Sequence, residues 1–234
     1  MTDIASLVVV FLTVSSTIFI AELTDKDALL LLALATKTNP WTVFAAGSTA
    51  FTITTAIIVP LGYALVQIVP VFWIKIAGGA IMIVYGFWQY LRRGNGGKEL
   101  EKEEKRLLSR GLGASPKNDP SIKEPKKVRG KWSVFLGAVL ILALLDLAGD
   151  ATEVLTIVFV AQIRNAILVF FACVSALVAA TAVETAIGHR LGKMLSVERI
   201  KLLSLVVFVI IGSFVILSSF YPFLIPGPSL RLRQ

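Results

Sequence analysis

The chain predicts an all-α, polytopic membrane protein with six main transmembrane segments. They are arranged as two inverted three-helix repeats whose first helices are interrupted. Three observations carry this prediction. Hydrophobic residues make up 56% of the 234 residues, only 16% are charged and the mean hydropathy is +0.81, which is too apolar for a soluble domain of this size. Apolar stretches approaching the length needed to cross a hydrocarbon core of about 30 Å recur along the chain. Two acidic clusters interrupt the first and fourth of these stretches at matching places in the two halves.

The first stretch runs from about Ile4 to Ile20, meets Glu22-Leu-Thr-Asp25-Lys26-Asp27 and resumes from Ala28 to Ala35. The second and third run from Val43 to Val69 and from Phe72 to Leu91. The fourth begins near Ser133, is apolar to Leu145, and continues through Asp146-Leu-Ala-Gly149-Asp150-Ala-Thr152-Glu153 to about Ala161. Ala166 to Ile187 and Leu202 to Phe220 complete the set. Each interrupted stretch predicts one long helix broken at its acids, or two short helices joined there. Pro60 predicts a kink in the second segment. The glycines of the apolar segments, among them Gly47, Gly62, Gly79, Gly86, Gly188 and Gly212, predict close helix contacts rather than ion coordination. The lone Cys173 predicts a small buried hydrophobe that forms no internal disulfide. Met1-Thr-Asp3 offers no basic region ahead of the first apolar stretch, so a cleaved signal peptide is not expected.

A formal charge of +8 raises the question of nucleic acid, and its placement answers it. Between Arg92 and Lys131 stand thirteen Lys or Arg and six Asp or Glu, so this segment alone holds a surplus of seven. The basic surplus is the property of one loop, which the positive-inside rule places in the cytoplasm. Gly94-Asn-Gly-Gly97, Pro116, Pro120 and Pro125 mark the loop as a solvated linker with room for one short helix. The expected organisation is a first repeat over residues 1–92, a charged linker over 93–131, a second repeat over 132–225 and a tail over 226–234. With the linker inside, both termini fall outside, and the loop carrying Arg190, Lys193, Arg199 and Lys201 falls inside. Arg231 and Arg233 oppose that orientation.

The duplication shows as register. A shift of 126 residues lays Thr55 on Thr181, Gly62 on Gly188, Lys75 on Lys201 and Gly86 on Gly212, and a shift of 125 lays Asp25 on Asp150. Three spans per copy is an odd number, so the second copy enters the membrane from the opposite side. That is the plan of many secondary transporters, whose sites lie near the midplane where discontinuous helices meet.

The acids carry the functional argument. A carboxylate at the centre of a spanning helix costs about 2.5 to 3.5 kcal/mol, so the six in the two clusters would cost about 15 to 21 kcal/mol if left alone. An ordinary domain has a total stability of about 5 to 15 kcal/mol. Protons, pairing or a bound cation must therefore neutralise them. Asp146, Asp150 and Glu153 share one face if their helix is continuous. Glu22 and Asp25 share another, with Lys26 and Asp27 pointing elsewhere. Lys26, as the only base inside a span, can pair with one acid but cannot neutralise six. Glu184, between Thr181 and Thr185, adds an acid to the fifth segment, and Thr49, Thr52, Thr54 and Thr55 line the second. Hydroxyl and carboxylate oxygens suit hard cations such as Ca²⁺ and Mn²⁺, and no accompanying His or Cys suggests a soft-metal site. The lone His189 reads as a solvated residue at a helix end.

Glu22-Leu-Thr-Asp25-Lys26-Asp27 is similar to the Glu-x-Gly-Asp-Lys/Arg-Thr/Ser signature of the Golgi-type calcium/manganese-proton exchangers. This is the transmembrane-protein-165 family of the lysine-exporter superfamily. Gly149-Asp150-Ala151-Thr152 resembles a second copy, and the likeness extends over both halves and the linker. It departs at Thr24 and Asp27, which replace the signature's glycine and hydroxyl residue, and at Leu147 and Ala151, which replace its glutamate and basic residue. The resemblance implies a cation site between inverted halves and exchange of Ca²⁺ or Mn²⁺ for protons.

The expected function is therefore secondary transport of a divalent cation against protons by alternating access. Glu22, Asp25, Asp146, Asp150 and Glu153 are the expected cation ligands, with Thr24, Asp27 and Thr152 secondary. Glu184 is the expected proton-coupling group and Lys26 the charge-tuning one. No enzymatic activity and no permanently bound cofactor are expected, because Ca²⁺ or Mn²⁺ is the transported substrate, and no Walker-type ATP motif is present. The partners are the lipid bilayer, the cation and protons, with a homodimer left open and nucleic acid not expected. A prokaryotic plasma membrane is the expected location. The alternative is an exporter of an amino acid or other small organic solute, for whose carboxylate Lys26 is the expected cationic contact.

Overall fold

The computed structural model describes residues 4–91, 101–102, 105, 131–147, 151–191 and 197–220. Among them are eight helices and no strands: α1 (Ile4–Leu23), α2 (Lys26–Lys37), α3 (Pro40–Ile68), α4 (Val71–Leu91), α5 (Lys131–Leu147), α6 (Ala151–Ile163), α7 (Ala166–Leu191) and α8 (Val197–Phe220). In the linker, Glu101, Lys102 and Lys105 are helical, and a Lys105–Glu101 ion pair of 2.7 Å joins them one turn apart. The expected breaks fall at the acids. The first helix stops after Leu23 and restarts at Lys26, and the axes of α5 and α6 are bent 67° apart across the second cluster. The condition for one face carrying Asp146, Asp150 and Glu153, a continuous helix, is not met. Asp146 ends one helix, Glu153 begins another, and Asp150 lies outside the described residues.

By length and composition, α1, α3, α4 and α7 each suffice to cross a membrane, and the bent pair α5–α6 has the length and composition of either a broken span or a re-entrant loop. The apolar parts of α2 and α8, Asp27–Thr36 and Leu205–Phe220, are shorter. Large apolar side chains cover the outside: Leu12, Ile57, Leu61, Val84, Leu140, Phe171, Ile210 and Phe214 are all exposed. In water such a surface would aggregate, whereas in a bilayer it faces acyl chains. The chain is a polytopic, all-α membrane protein.

The packing couples the two halves reciprocally. Phe72 meets Phe220, Lys75 Nζ donates to the Ser218 carbonyl at 3.4 Å, Gly79 abuts Gly212 and Tyr85 packs on Phe208, so α4 and α8 run antiparallel. The pair α3 and α7 is antiparallel as well, with Gly47 against Thr181 and Trp41 near His189 and Arg190. The interrupted helices run the other way. Ser15 Oγ donates to the Ala172 carbonyl at 3.0 Å and Leu32 lies at Gly188, which sets α1 and α2 parallel to α7. Likewise α5 and α6 run parallel to α3, with Asp146 at Thr54 and Ile157 at Gly62.

Local chemistry repeats at the same register. Asn39 Oδ1 accepts from Trp41 N at 3.0 Å at the start of α3, and Asn165 Oδ1 accepts from Leu168 N at 3.1 Å at the start of α7. Each asparagine satisfies an amide that a helix start leaves orphaned. The α6–α7 junction turns through Arg164, whose φ of 53° is the left-handed conformation common just past a helix end. The core behind these contacts is aliphatic, built on Ile18 of α1, Leu30, Leu31 and Leu34 of α2, Phe51 of α3, Leu155 of α6 and Phe208 of α8. Cys173 is buried in it, as its apolar segment predicts.

The glycine contacts are testable. A Cβ at Gly188 would stand 2.5 Å from the Leu32 carbonyl oxygen, which is backbone and cannot swing aside, while one at Gly137 would meet nothing within 4 Å. Gly188→Ala is therefore expected to destabilise the fold by about 1 to 3 kcal/mol, as overpacking does. Gly137→Ala should leave the thermal midpoint in detergent unchanged, and equal midpoints for the two variants would contradict the packing.

Candidate cation site

The first cluster is exposed to the interior by the way α1 ends. Thr24 Oγ1 donates to the Ala21 carbonyl at 2.8 Å, Thr24 N donates to Ala21 O at 3.2 Å, and Asp25 N donates to Glu22 O at 2.9 Å. These short-range bonds tighten the last turn and close the helix, after which α2 begins at once. Glu22 and Asp25 are fully enclosed and Asp27 is 3% exposed. Asp27 thus corrects the expectation that it points elsewhere. The break resets the helical register, so neighbours in sequence on its two sides converge instead of fanning out. The side chain of Lys26 lies outside the described residues, as do Asp150 and Gly149.

Around Glu22 the acids of both halves assemble. It interacts electrostatically with Glu184 of α7, Asp146 of α5, and Asp25 and Asp27 beside it. Glu184, 2% exposed, also feels Asp27 and Asp25. Both carboxylate oxygens of Glu22 and of Glu184 are buried with no hydrogen-bond partner among the described residues. So many buried like charges need protons or a cation. Glu153 is half-buried in the first turn of α6. Among the described residues, which leave out Asp150, no three acidic, His or Cys side chains form a group that could hold a metal ion.

Other acids have polar anchors. Thr54 Oγ1 of α3 donates to Asp146 Oδ2, so of the four threonines singled out along that segment, Thr54 is the one that reaches an acid of the other half among the described residues. Thr49 faces outward, and Thr55 Oγ1 donates to the Phe51 carbonyl of its own helix at 2.7 Å. Thr152, Thr181 and Thr185 are buried. Thr181 and Thr185 spend their protons on the carbonyls four residues back, at 2.8 and 2.7 Å, leaving oxygen lone pairs as acceptors. Asp25 is anchored by two residues that sequence reasoning missed. Tyr85 Oη and Gln89 Nε2, both on α4, each donate to Asp25 Oδ1 at 2.9 Å, and Gln89 Nε2 also lies 3.2 Å from Tyr85 Oη. The available signal was a glutamine inside an apolar segment, one helical turn from a tyrosine.

Lys75 corrects the expectation that Lys26 is the only base inside a span. It is 8% exposed within α4 and donates to a carbonyl in the last turn of α8, where the helix dipole favours a cation. It therefore serves a helix end instead of pairing with an acid. His189, as expected, is exposed near the end of α7.

An apolar-surfaced bundle whose centre concentrates carboxylates from both halves defines an integral membrane protein built to handle cations. A family model described as "Divalent cation/proton antiporter GDT1" matches residues 10–96 and 134–222, most of the chain and both halves, and the chain belongs to that family. No curated protein and no solved structure matches it. It is accordingly a transporter of the divalent cation/proton antiporter class, a family of transporters and not of enzymes, with cations as its transported substrates.

Proposed function

We propose that the protein exchanges Ca²⁺ or Mn²⁺ for protons by alternating access, with the cation held between the two acidic clusters. The observation that carries this reading is Glu22, fully buried, without a hydrogen bond to either carboxylate oxygen among the described residues, and within electrostatic reach of Asp146 and Glu184 from the other half. Asp25 and Asp150 are the paired principal ligands, Glu22, Asp146 and Glu153 complete the set, and Thr24, Asp27 and Thr152 supply further oxygens. Such an all-oxygen set suits hard divalent ions. Cation binding requires the carboxylates deprotonated, so loading on one side expels protons and release on the other recovers them. Glu184 carries a coupled proton, and Lys26 tunes the charge of the site.

The reciprocal antiparallel pairing of α3 with α7 and α4 with α8 supports two inverted repeats, 1–92 and 132–225, joined by the linker 93–131. Rocking of one repeat against the other would open the central acids to either side. The basic linker is placed in the cytoplasm, with the protein in a prokaryotic plasma membrane.

Liposomes containing the purified protein, a trapped Ca²⁺- or Mn²⁺-sensitive dye and an imposed pH gradient test this reading. Cation movement that follows the gradient is expected, with loss of about 100-fold or more in Asp25→Asn and in Asp146→Asn. Flux indifferent to the pH gradient, or unchanged in both variants, overturns it. Competition by excess amino acid would favour the organic-solute alternative.

A further inference from the structure

Tyr85 and Gln89 converge on one oxygen of Asp25 from one face of α4, four residues apart. Gln89 is 5% exposed, and the Tyr85 ring is wedged against Phe208 at a centroid separation of 5.6 Å. A structural task alone, satisfying a buried carboxylate, would serve any acid of the centre. Yet Glu22 and Glu184 have no such donors among the described residues, and Asp146 receives the hydroxyl of Thr54. The tyrosine–glutamine pair is also not repeated at the corresponding positions of the other half's sequence. The shift of 126 that relates Gly86 to Gly212 lays Tyr85 on Ile211 and Gln89 on Val215, neither of which can donate a hydrogen bond from its side chain. The two halves are therefore unequal in sequence at these positions, and among the described residues two neutral donors are aimed at the Asp25 carboxylate.

We propose that Tyr85 and Gln89 are positioning residues for the transported divalent cation, fixing the Asp25 carboxylate in the orientation from which it receives the ion. Two donors on Oδ1 favour one rotamer of a short side chain at a helix break. Orientation in advance removes the ordering cost from the binding step. Both groups are uncharged, so they orient the ligand without adding to the negative charge of an already crowded centre. Partners of this kind behind metal ligands typically matter about 10- to 100-fold in metal affinity or activity.

This inference rests on the cation site proposed above, and the experiment separates the two. Exchange is measured in liposomes as a function of Ca²⁺ or Mn²⁺ concentration for the wild type, Tyr85→Phe, Gln89→Leu and Gln89→Asn. Tyr85→Phe and Gln89→Leu are expected to raise the half-saturating cation concentration about 10-fold or more, with the maximal rate within about twofold of wild type. Gln89→Asn, which keeps the amide on a shorter arm, should recover part of the loss. A purely structural role would lower thermal stability and the amount of active protein but leave half-saturation unchanged, and that result overturns the inference. Should Gln89→Leu fail to fold, Tyr85→Phe decides alone, because it removes one oxygen and keeps the ring against Phe208. Wild-type protein that shows no exchange would count against the proposed function itself.

Discussion

Glu22→Gln is expected to abolish cation/proton exchange while raising thermal stability. The two effects have one cause. Glu22 is enclosed at the point where acids of both halves meet, and neither of its carboxylate oxygens receives a hydrogen bond among the described residues. Burying a carboxylate among like charges is strongly unfavourable, and a neutral amide of the same shape removes the repulsion. Removing a direct ligand should cost at least the roughly 100-fold attributed to the groups behind ligands. Initial rates in liposomes and the thermal midpoint in detergent check both halves of the prediction. Lost exchange with a lowered midpoint would make Glu22 a structural residue, and retained exchange would remove it from the site. A gain in stability on loss of function is the pattern expected where a site is held in an unfavourable state for its task.

The membrane character and the approximate positions of the helices were readable because hydrophobic length is a strong signal. The interruption of α1–α2 and of α5–α6 was readable for the related reason that carboxylates are conspicuous in apolar sequence. What escaped lies on a finer scale. Asp27 was assigned away from Asp25 on helical periodicity, but that periodicity does not cross the break at Thr24 and Asp25. Thr54 could not be told from Thr49, Thr52 and Thr55, since hydroxyls in membrane helices ordinarily bond to their own backbone, and only the partner helix decides which one reaches Asp146. Tyr85 and Gln89 carry no charge, so no energetic anomaly drew attention to them. Lys75 was visible in the register of the repeats, yet its partner, the Ser218 carbonyl, is a backbone group that no side-chain pattern encodes. The capping pair Asn39 and Asn165 obeys the same 126-residue shift and would have strengthened the case for duplication.

Glu184→Gln is expected to flatten the pH dependence of cation binding without abolishing it. Glu184 lies on α7, facing Asp27 and Asp25 across the interface and within reach of Glu22. On the proposed function, a proton and the cation compete for this group of carboxylates. Where a carboxyl must lose its proton before the ion binds, apparent affinity falls about tenfold for each unit of falling pH, and each further coupled proton adds another factor of about ten. The sign follows directly: acidification on one side favours protonated carboxyls and cation release there, and alkalinisation favours loading. A glutamine at this position cannot take part, so a plot of log half-saturating concentration against pH should lose about one unit of slope. Binding at high pH should change less, because Asp25, Asp146 and Glu22 remain. Titrations of Mn²⁺ or Ca²⁺ over several pH values, with the proton-to-cation ratio measured in the same liposomes, provide the check. An unchanged slope would place the coupled proton on another acid, and Glu22 is the next to test because it shares the burial and in the same way lacks hydrogen-bonding partners among the described residues.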